Sequence, residues 1–226
     1  FAMGSYSVYY LNTATMQLSP LYAGVKTRYC PLKVMGDTAA ILAWPSGVVK
    51  VAYAPGKIQF KSLLNATISC ALIDDKERLW IGGTGKYALL KGKDFADKTV
   101  FYLKANVVTK CFFQDSQRNV WLGTEDGLYK INPDNGAVLC VYKKGNGLAD
   151  ETIYSIQEDD NKNIWFSTNK GISCIYNNES IVNLYAADGL QGNEFNTGVS
   201  AKANDGELFF GGTNGVNSFY PRQIRM

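Results

Sequence analysis

Asp115-Ser116-Gln117-Arg118-Asn119-Val120-Trp121-Leu122-Gly123-Thr124-Glu125-Asp126-Gly127-Leu128 is one of four related stretches in this chain. Its centre, Val120-Trp121-Leu122-Gly123, returns as Leu79-Trp80-Ile81-Gly82, Ile164-Trp165-Phe166-Ser167 and Leu208-Phe209-Phe210-Gly211. The aromatic positions 80, 121, 165 and 209 lie 41, 44 and 44 residues apart. A self-similar unit of that length is the period of a four-stranded propeller blade. The unit also has fixed punctuation. An Asp-rich turn precedes the aromatic word: Asp74-Asp75-Lys76-Glu77, Asp115-Ser116-Gln117, Asp159-Asp160-Asn161 and Asn204-Asp205-Gly206. A polar turn with glycine follows it: Thr84-Gly85-Lys86, Thr124-Glu125-Asp126-Gly127, Thr168-Asn169-Lys170-Gly171 and Thr213-Asn214-Gly215. Asp, Asn and Gly suit these places because they tolerate left-handed backbone and bond to it locally.

Short apolar alternations flank the turns, so one unit reads as strand A, Asp turn, strand B with the aromatic, glycine turn, strand C, turn, strand D. The units fall near residues 67–103, 107–142 and 152–185, with a degenerate earlier copy at 30–64 in which Trp44 stands one place late. At the end, residues 196–220 supply strands A to C. At the start, residues 6–22 resemble strands C and D. Joining these two pieces makes a split blade and closes a ring of five; the alternative is an open fragment of a larger ring. Closure has a physical motive, since open arrays leave edge strands ready to pair. The expectation is an all-β propeller of about five four-stranded repeats, a single domain over 6–226. Phe1-Ala2-Met3-Gly4-Ser5 looks like a cloning remnant.

Composition agrees. A chain of 226 residues buries roughly 70–75% of its unfolded surface. Fourteen Tyr and 22 Gly suit short strands and tight turns. The charge of +3, from 23 basic and 20 acidic residues, is too balanced for a nucleic-acid or anionic-membrane partner. No apolar run approaches the ~18 residues of a membrane span, so no direct membrane contact is expected of this segment.

Chemistry-bearing residues are few. Histidine is absent, which removes the commonest general base and metal ligand. No Cys-x-x-Cys pair occurs among Cys30, Cys70, Cys111, Cys140 and Cys174. Cys70 and Cys111 each lie four residues before the Asp that opens a turn, and read as small buried strand A residues. No catalytic residue, metal or cofactor is expected. Asp74/Asp75 and Asp159/Asp160 read as turn residues that bond their own backbone. Trp80, Trp121 and Trp165, repeated at one position, read as packing anchors in preference to sugar-stacking platforms. A binding site is expected where the blades differ: the B–C turns and D–A crossovers, which share one rim of a propeller. The candidates there are Lys86, Glu125, Asp126, Asn169, Lys170, Asn193, Glu194 and Asn214. A carboxylate-based glycosidase would need two carboxyls about 5–9.5 Å apart across a cleft. Glu125, Asp126 and Glu194 would be the ones to test.

The pattern resembles the two-component-regulator propeller repeat, roughly D-x-x-G-x-[IL]-W-[IL]-G-T-x-x-G-[IL], best at residues 115–128 and 159–172. Asp188-Gly189-Leu190-Gln191-Gly192-Asn193-Glu194-Phe195-Asn196 and Gly206-Glu207-Leu208-Phe209-Phe210-Gly211-Gly212-Thr213-Asn214-Gly215-Val216-Asn217-Ser218-Phe219-Tyr220-Pro221 are similar to the end of the periplasmic sensor of bacterial hybrid two-component systems. The resemblance implies a periplasmic, non-enzymatic sensor fragment that recognises an oligosaccharide. Its implied partners are the remaining repeats and the signalling domains of a receptor, with a homodimer left open. The family carries many more repeats, in two propellers, followed by a β-sandwich, membrane and kinase parts. The alternative classes are a protein-interaction propeller and a carbohydrate-active enzyme.

Overall fold

The structure is a computed structural model that describes residues 7–12, 17–23, 32–35, 39–44, 47–54, 57–92, 95–176 and 180–224. The chain divides into two compact units, Phe1–Ile68 and Ser69–Met226.

In the first unit, β1 (Ser7–Asn12) and β2 (Gln17–Ala23) pair antiparallel as a two-stranded sheet. Strands β3 (Leu32–Met35), β4 (Ala39–Trp44), β5 (Gly47–Ala54) and β6 (Lys57–Asn65) form a four-stranded antiparallel sheet in chain order. Trp44 closes β4 opposite Gly47. Cys30, Gly36-Asp37 and Pro45-Ser46 lie outside the described residues.

The second unit repeats that four-stranded pattern. Its first sheet holds β7 (Cys70–Ile73), β8 (Leu79–Gly82), β9 (Lys86–Lys91) and β10 (Asp97–Tyr102). The second holds β11 (Thr109–Gln114), β12 (Val120–Thr124), β13 (Gly127–Ile131) and β14 (Val138–Tyr142). The third holds β15 (Ile153–Glu158), β16 (Ile164–Thr168), β17 (Gly171–Tyr176) and β18 (Ser180–Leu184). The last has three strands, β19 (Phe195–Lys202), β20 (Leu208–Gly212) and β21 (Gly215–Phe219). Every pair is antiparallel and sequential, so each sheet is a meander, the blade of a propeller. Among the described residues there is no α-helix, only short 3-10 turns such as Lys144–Asn146, Ala186–Asp188 and Pro221–Gln223.

Burial grades across each blade. In β8, β12 and β16 every position is buried because both faces of the sheet meet a neighbour, while β10 is largely exposed and β14 is exposed to half-buried. The repeated tryptophan makes the blade-to-blade joint. Trp80 packs on Val120, Leu122, Tyr129 and Ile131 of the next sheet, and Trp121 on Ile156, Ile164, Phe166 and Ile175 of the one after. Trp165 packs on Leu208, Phe210 and Phe219, its ring centroid 5.0 Å from that of Phe219. All three indoles are buried. Each sits in a core spanning two blades, as the packing-anchor expectation requires.

The inner strands lie side by side, β7 to β11 to β15 to β19, which demands small residues at their crossings. Cys70 faces Gly82, Cys111 faces Gly123 and Ser155 faces Ser167. A Cβ on Gly123 would lie 2.6 Å from Cys111 Sγ and 2.9 Å from Ile153 Cγ2, so the large atom stands on one strand only. Cys70, Cys111, Cys140 and Cys174 are free thiols. Burial pushes the Cys70 thiol up to about 12, and those of Cys111 and Cys174 upward too. Cys70, Cys111 and Cys174 are packed into the buried cores between the sheets.

The last sheet breaks the series in its strand C: every residue of β21 is exposed or half-buried, where β13 and β17 are almost wholly buried. Leu128, Ile172 and Val216 occupy the same register on strand C, opposite Gly123, Ser167 and Gly211. The first two are 0% exposed and Val216 is 64% exposed. Leu128 is covered by Ile153, Ile156 and Phe166 of the following sheet, and Ile172 by Phe195, Leu208 and Phe210.

Candidate ligand-binding rim

The two ends of the second unit's blades are chemically different. At the Asp-turn end, the first Asp of each turn is a buried clip. Asp159 Oδ1 accepts the backbone N–H groups of Asn161 and Asn163, both at 2.9 Å. Its Oδ2 accepts Asn163 Nδ2 and the indole Nε1–H of Trp165, again both at 2.9 Å. Asp115 takes the indole N–H of Trp121 at 2.8 Å, and Asp74 that of Trp80 at 2.9 Å. Turn and anchor are thus one device: a carboxylate six residues upstream satisfies the only polar atom of the buried ring. The second acids behave differently. Asp75 exchanges hydrogen bonds with Gln114 and pairs with Arg118, and Asp160 pairs with Lys202, so they bridge neighbouring sheets. The expectation that both members of each Asp pair serve only their own turn is therefore corrected for Asp75 and Asp160.

The fourth copy of the clip is missing at both ends together. Ala203 stands at the Asp position and Phe209 at the Trp position. The turn still forms, with Ala203 N donating to Glu207 O at 2.8 Å as Asp159 N donates to Asn163 O at 3.0 Å. Phe has no N–H to satisfy, so the missing carboxylate leaves nothing unpaired.

At the other end, the B–C turns lock onto the D–A crossovers. Gly85 N donates to Val107 O, Gly127 N to Glu151 O, and Gly171 N to Asn193 O, at 2.8, 2.8 and 2.7 Å. The shared rim is therefore real for this unit. Two crossovers, residues 143–152 and 185–194, are built to one plan despite different sequences. Each makes a single 3-10 turn ending at a left-handed glycine, Gly147 with φ 103° and Gly189 with φ 102°. Asn146 Oδ1 accepts Lys143 N as Asp188 Oδ2 accepts Tyr185 N, and Glu151 Oε1 accepts Lys144 N as Asn193 Oδ1 accepts Ala186 N. The expectation of divergent loops is thus narrowed: these two frames repeat even where the residues that hold them differ, Asn146 against Asp188 and Glu151 against Asn193.

The expected site residues fall into two groups on this rim. Lys86, Lys170 and Glu194 are exposed, as is Glu125, which pairs with Lys110 at 2.6 Å. Asp126, Asn169, Asn193 and Asn214 are engaged locally. Asn193 gives its side-chain oxygen to the loop frame. Asn214 is held by Gln191, whose Oε1 accepts the Asn214 backbone N–H at 2.7 Å. Asn169 Oδ1 accepts the Tyr154 hydroxyl at 2.7 Å. Asp126 is the most crowded. Its Oδ2 lies 2.6 Å from Lys143 Nζ and 3.3 Å from Lys104 Nζ, and accepts the Tyr129 hydroxyl at 3.2 Å. Burial pushes the Asp126 carboxyl up, but the bonds from Lys143 and Lys104 outweigh it and the net displacement is downward. The bond to Asp126 raises the Lys143 ammonium in turn. A depressed carboxyl stabilises the fold above its unfolded pKa and loses that contribution as pH falls through its lower folded value. Lys104, Lys143, Tyr129 and Gln191 were not among the candidates. They sit on crossovers and strands whose approach to the B–C turns is set by packing, and no spacing in the sequence marks it.

A concavity of about 210 Å³ opens on the opposite, Asp-turn rim, lined by Asp160, Asn161, Asp205, Tyr220, Pro221 and Arg222 among others. It is largely self-satisfied: Tyr220 donates to Asp205 Oδ2 at 2.8 Å, Lys202 pairs with Asp160 at 2.7 Å, and the Arg222 guanidinium lies 5.0 Å from the Tyr220 ring. Among the described residues no group of three or more Cys, Asp or Glu side chains is arranged to hold a metal ion.

Residues 102–126 and 147–170 match the family described as "Two component regulator propeller". These segments are two-component regulator propeller repeats. Each begins at a D–A crossover, passes through strand A, the Asp clip and strand B, and ends in the B–C turn, so each takes in two parts of the rim. The chain is 33% identical over 175 residues to a Formosa agariphila protein called histidine kinase P4, which aligns with 73% of this chain. It spans only 13% of that relative's length. The extracellular domain of a putative hybrid two-component system from B. thetaiotaomicron superposes with a TM-score of 0.74 at 23% identity, over 94% of this chain and 31% of that one. A virginiamycin B lyase from Staphylococcus aureus superposes with a TM-score of 0.68 at 12% identity, over 98% and 79%. These likenesses fix the fold as a β-propeller.

Proposed function

We propose that this two-component regulator propeller segment is the ligand-sensing part of an extracytoplasmic receptor, periplasmic in a bacterium with two membranes, and that it binds an oligosaccharide without turning it over. The observation that carries this reading is the B–C/D–A rim. Its hydrogen-bonded frames hold the loops and present differing polar side chains on one rim: exposed Lys86, Lys170, Glu194 and the Lys110-paired Glu125, together with the locally engaged Asp126, Asn169, Asn193 and Asn214. Rigid loops with adaptable polar tips suit a polyhydroxylated ligand, which needs many directional hydrogen bonds and little apolar burial. Binding signals only through differential affinity for two arrangements of the full receptor. A further repeat packed on the last sheet would cover Val216 as Leu128 and Ile172 are covered, and we assign that face to the neighbouring part of the receptor.

A lyase reading draws on the propeller enzymes of the same fold, but the chain has no histidine. The carboxylates of Glu125 and Asp126 are tied to Lys110 and Lys143, which opposes a proton-shuttling role.

Titration calorimetry against a panel of oligosaccharides tests the proposal. Alanine variants of Glu125, Lys170 and Asn214 are expected to weaken binding at least several-fold while leaving the melting temperature unchanged. Variants of Asp75 and Asp160, on the other rim, are expected to bind normally. Loss of binding in the second set alone overturns the assignment, and steady release of reducing sugar would establish the enzyme class instead.

A further inference from the structure

We propose that the Asp126 corner of the rim is an anion subsite, so that the saccharide sensed is an acidic one, bearing a carboxylate or a sulfate ester. The inference rests on the sensing proposal above and adds the charge class of the ligand. One carboxylate here gathers two ammonium groups and a phenol. Asp126 Oδ2 meets Lys143 Nζ at 2.6 Å, Lys104 Nζ at 3.3 Å and the Tyr129 hydroxyl at 3.2 Å. The Asp126 side chain is only 18% exposed, whereas those of Lys143 and Lys104 are 29% and 72% exposed. The anion is therefore the sheltered member and the cations form the outward layer. Two cations share the Asp126 carboxylate; the other carboxylate of this corner, Glu151, lies near enough to act on the Tyr129 hydroxyl and has its Oε1 taken by the Lys144 backbone N–H, while Lys110 nearby is matched by Glu125. Lys86 adds a further exposed cation on the neighbouring B–C turn, its strand position opposite Tyr102, two residues before Lys104.

Each ammonium has three N–H donors and no acceptor. Asp126 consumes one direction of each, so the remaining donors face solvent from two nitrogens held on a common pin. An anion placed between them gains charge-assisted hydrogen bonds without the entropic cost of gathering two long, mobile side chains. The pin itself is fixed from below by Tyr129, which is buried, and by Asp126 N donating to Thr124 Oγ1 at 2.9 Å. Left to themselves, rim ion pairs of this exposure add little to stability, so the arrangement is better explained by what it presents than by what it stabilises.

The experiment compares three probes on the folded chain by calorimetry at low and moderate salt: a galacturonate tetrasaccharide, a sulfated chondroitin tetrasaccharide and the neutral maltotetraose. The proposal expects one or both acidic probes to bind at least tenfold more tightly than the neutral one, and the acidic probe that binds identifies carboxylate or sulfate. It expects Lys104→Gln and Lys143→Gln each to reduce that preference several-fold with an unchanged melting temperature, and Lys202→Gln on the opposite rim to leave it intact. Equal binding of acidic and neutral probes, with Lys104→Gln and Lys143→Gln unaffected, overturns the anion subsite and leaves the saccharide sensor standing. Binding of none of the three probes, nor of any sugar in the wider panel, overturns both.

Discussion

Trp121→Ala and Trp165→Ala are each expected to lower the unfolding free energy by about 3–5 kcal/mol, the range for emptying a large aromatic site in a packed core. Both rings are buried and each spans a joint between two sheets, so the cavity opens at a seam and not inside one blade. Against a total stability of about 5–15 kcal/mol the loss is a large share. Urea denaturation measures it directly. Because the rings lie away from the rim, saccharide binding by the fraction that remains folded is expected to be unchanged. A variant that kept its denaturation midpoint but lost binding would mean that the tryptophans face a ligand.

The second large effect belongs to the clip. Asp159→Ala removes the acceptor of four donors at once: Trp165 Nε1, Asn163 Nδ2 and the backbone N–H groups of Asn161 and Asn163. A buried donor left unpaired costs about 1–3 kcal/mol, and part of this turn can recruit water, so a loss of about 2–3 kcal/mol is expected. Trp165→Phe alone removes one of those donors and keeps most of the ring. In the double variant the missing carboxylate no longer strands an indole N–H, so the combined loss is expected to fall short of the sum by about 1 kcal/mol. The chain already contains the product of that experiment: Ala203 with Phe209, in a turn of unchanged backbone hydrogen bonding. Strict additivity in the double-mutant cycle would show that clip and anchor are independent.

The fold was legible in the sequence because its signals are periodic. A tryptophan every 41 to 44 residues, with an Asp turn before it and a glycine turn after it, marks strands A, B and C without tertiary information. What joins those signals was not legible. The Asp–Trp bond spans six residues, across a turn and part of a strand, a separation that no local pattern rule flags. Asp75 and Asp160 looked like their turn neighbours, yet their side chains leave the turn for the next sheet, which depends on how blades stack. The rim was placed by topology alone, since alternate connections of a meander must share an end. Its chemistry was only half visible. Glu125 and Asp126 stood out as polar tips, but their lysine partners come from strand β11, for Lys110, and from the segments before and after it in the chain, for Lys104 and Lys143. Likewise, Gly145-Asn146-Gly147-Leu148 and Ala187-Asp188-Gly189-Leu190 share only the Gly-Leu pair, and the rest of their common frame emerges from hydrogen bonds made by Asn146 and Asp188.

The rim assignment is tested most directly by backbone amide chemical shifts of the isotope-labelled chain during titration with a bound oligosaccharide. The account predicts perturbations gathered at residues 104, 125–126, 143–144, 169–170, 193–194 and 213–214, with the Asp turns silent. Perturbations confined instead to residues 160–161, 205–206 and 220–222 would place the ligand in the concavity of the opposite rim and contradict it.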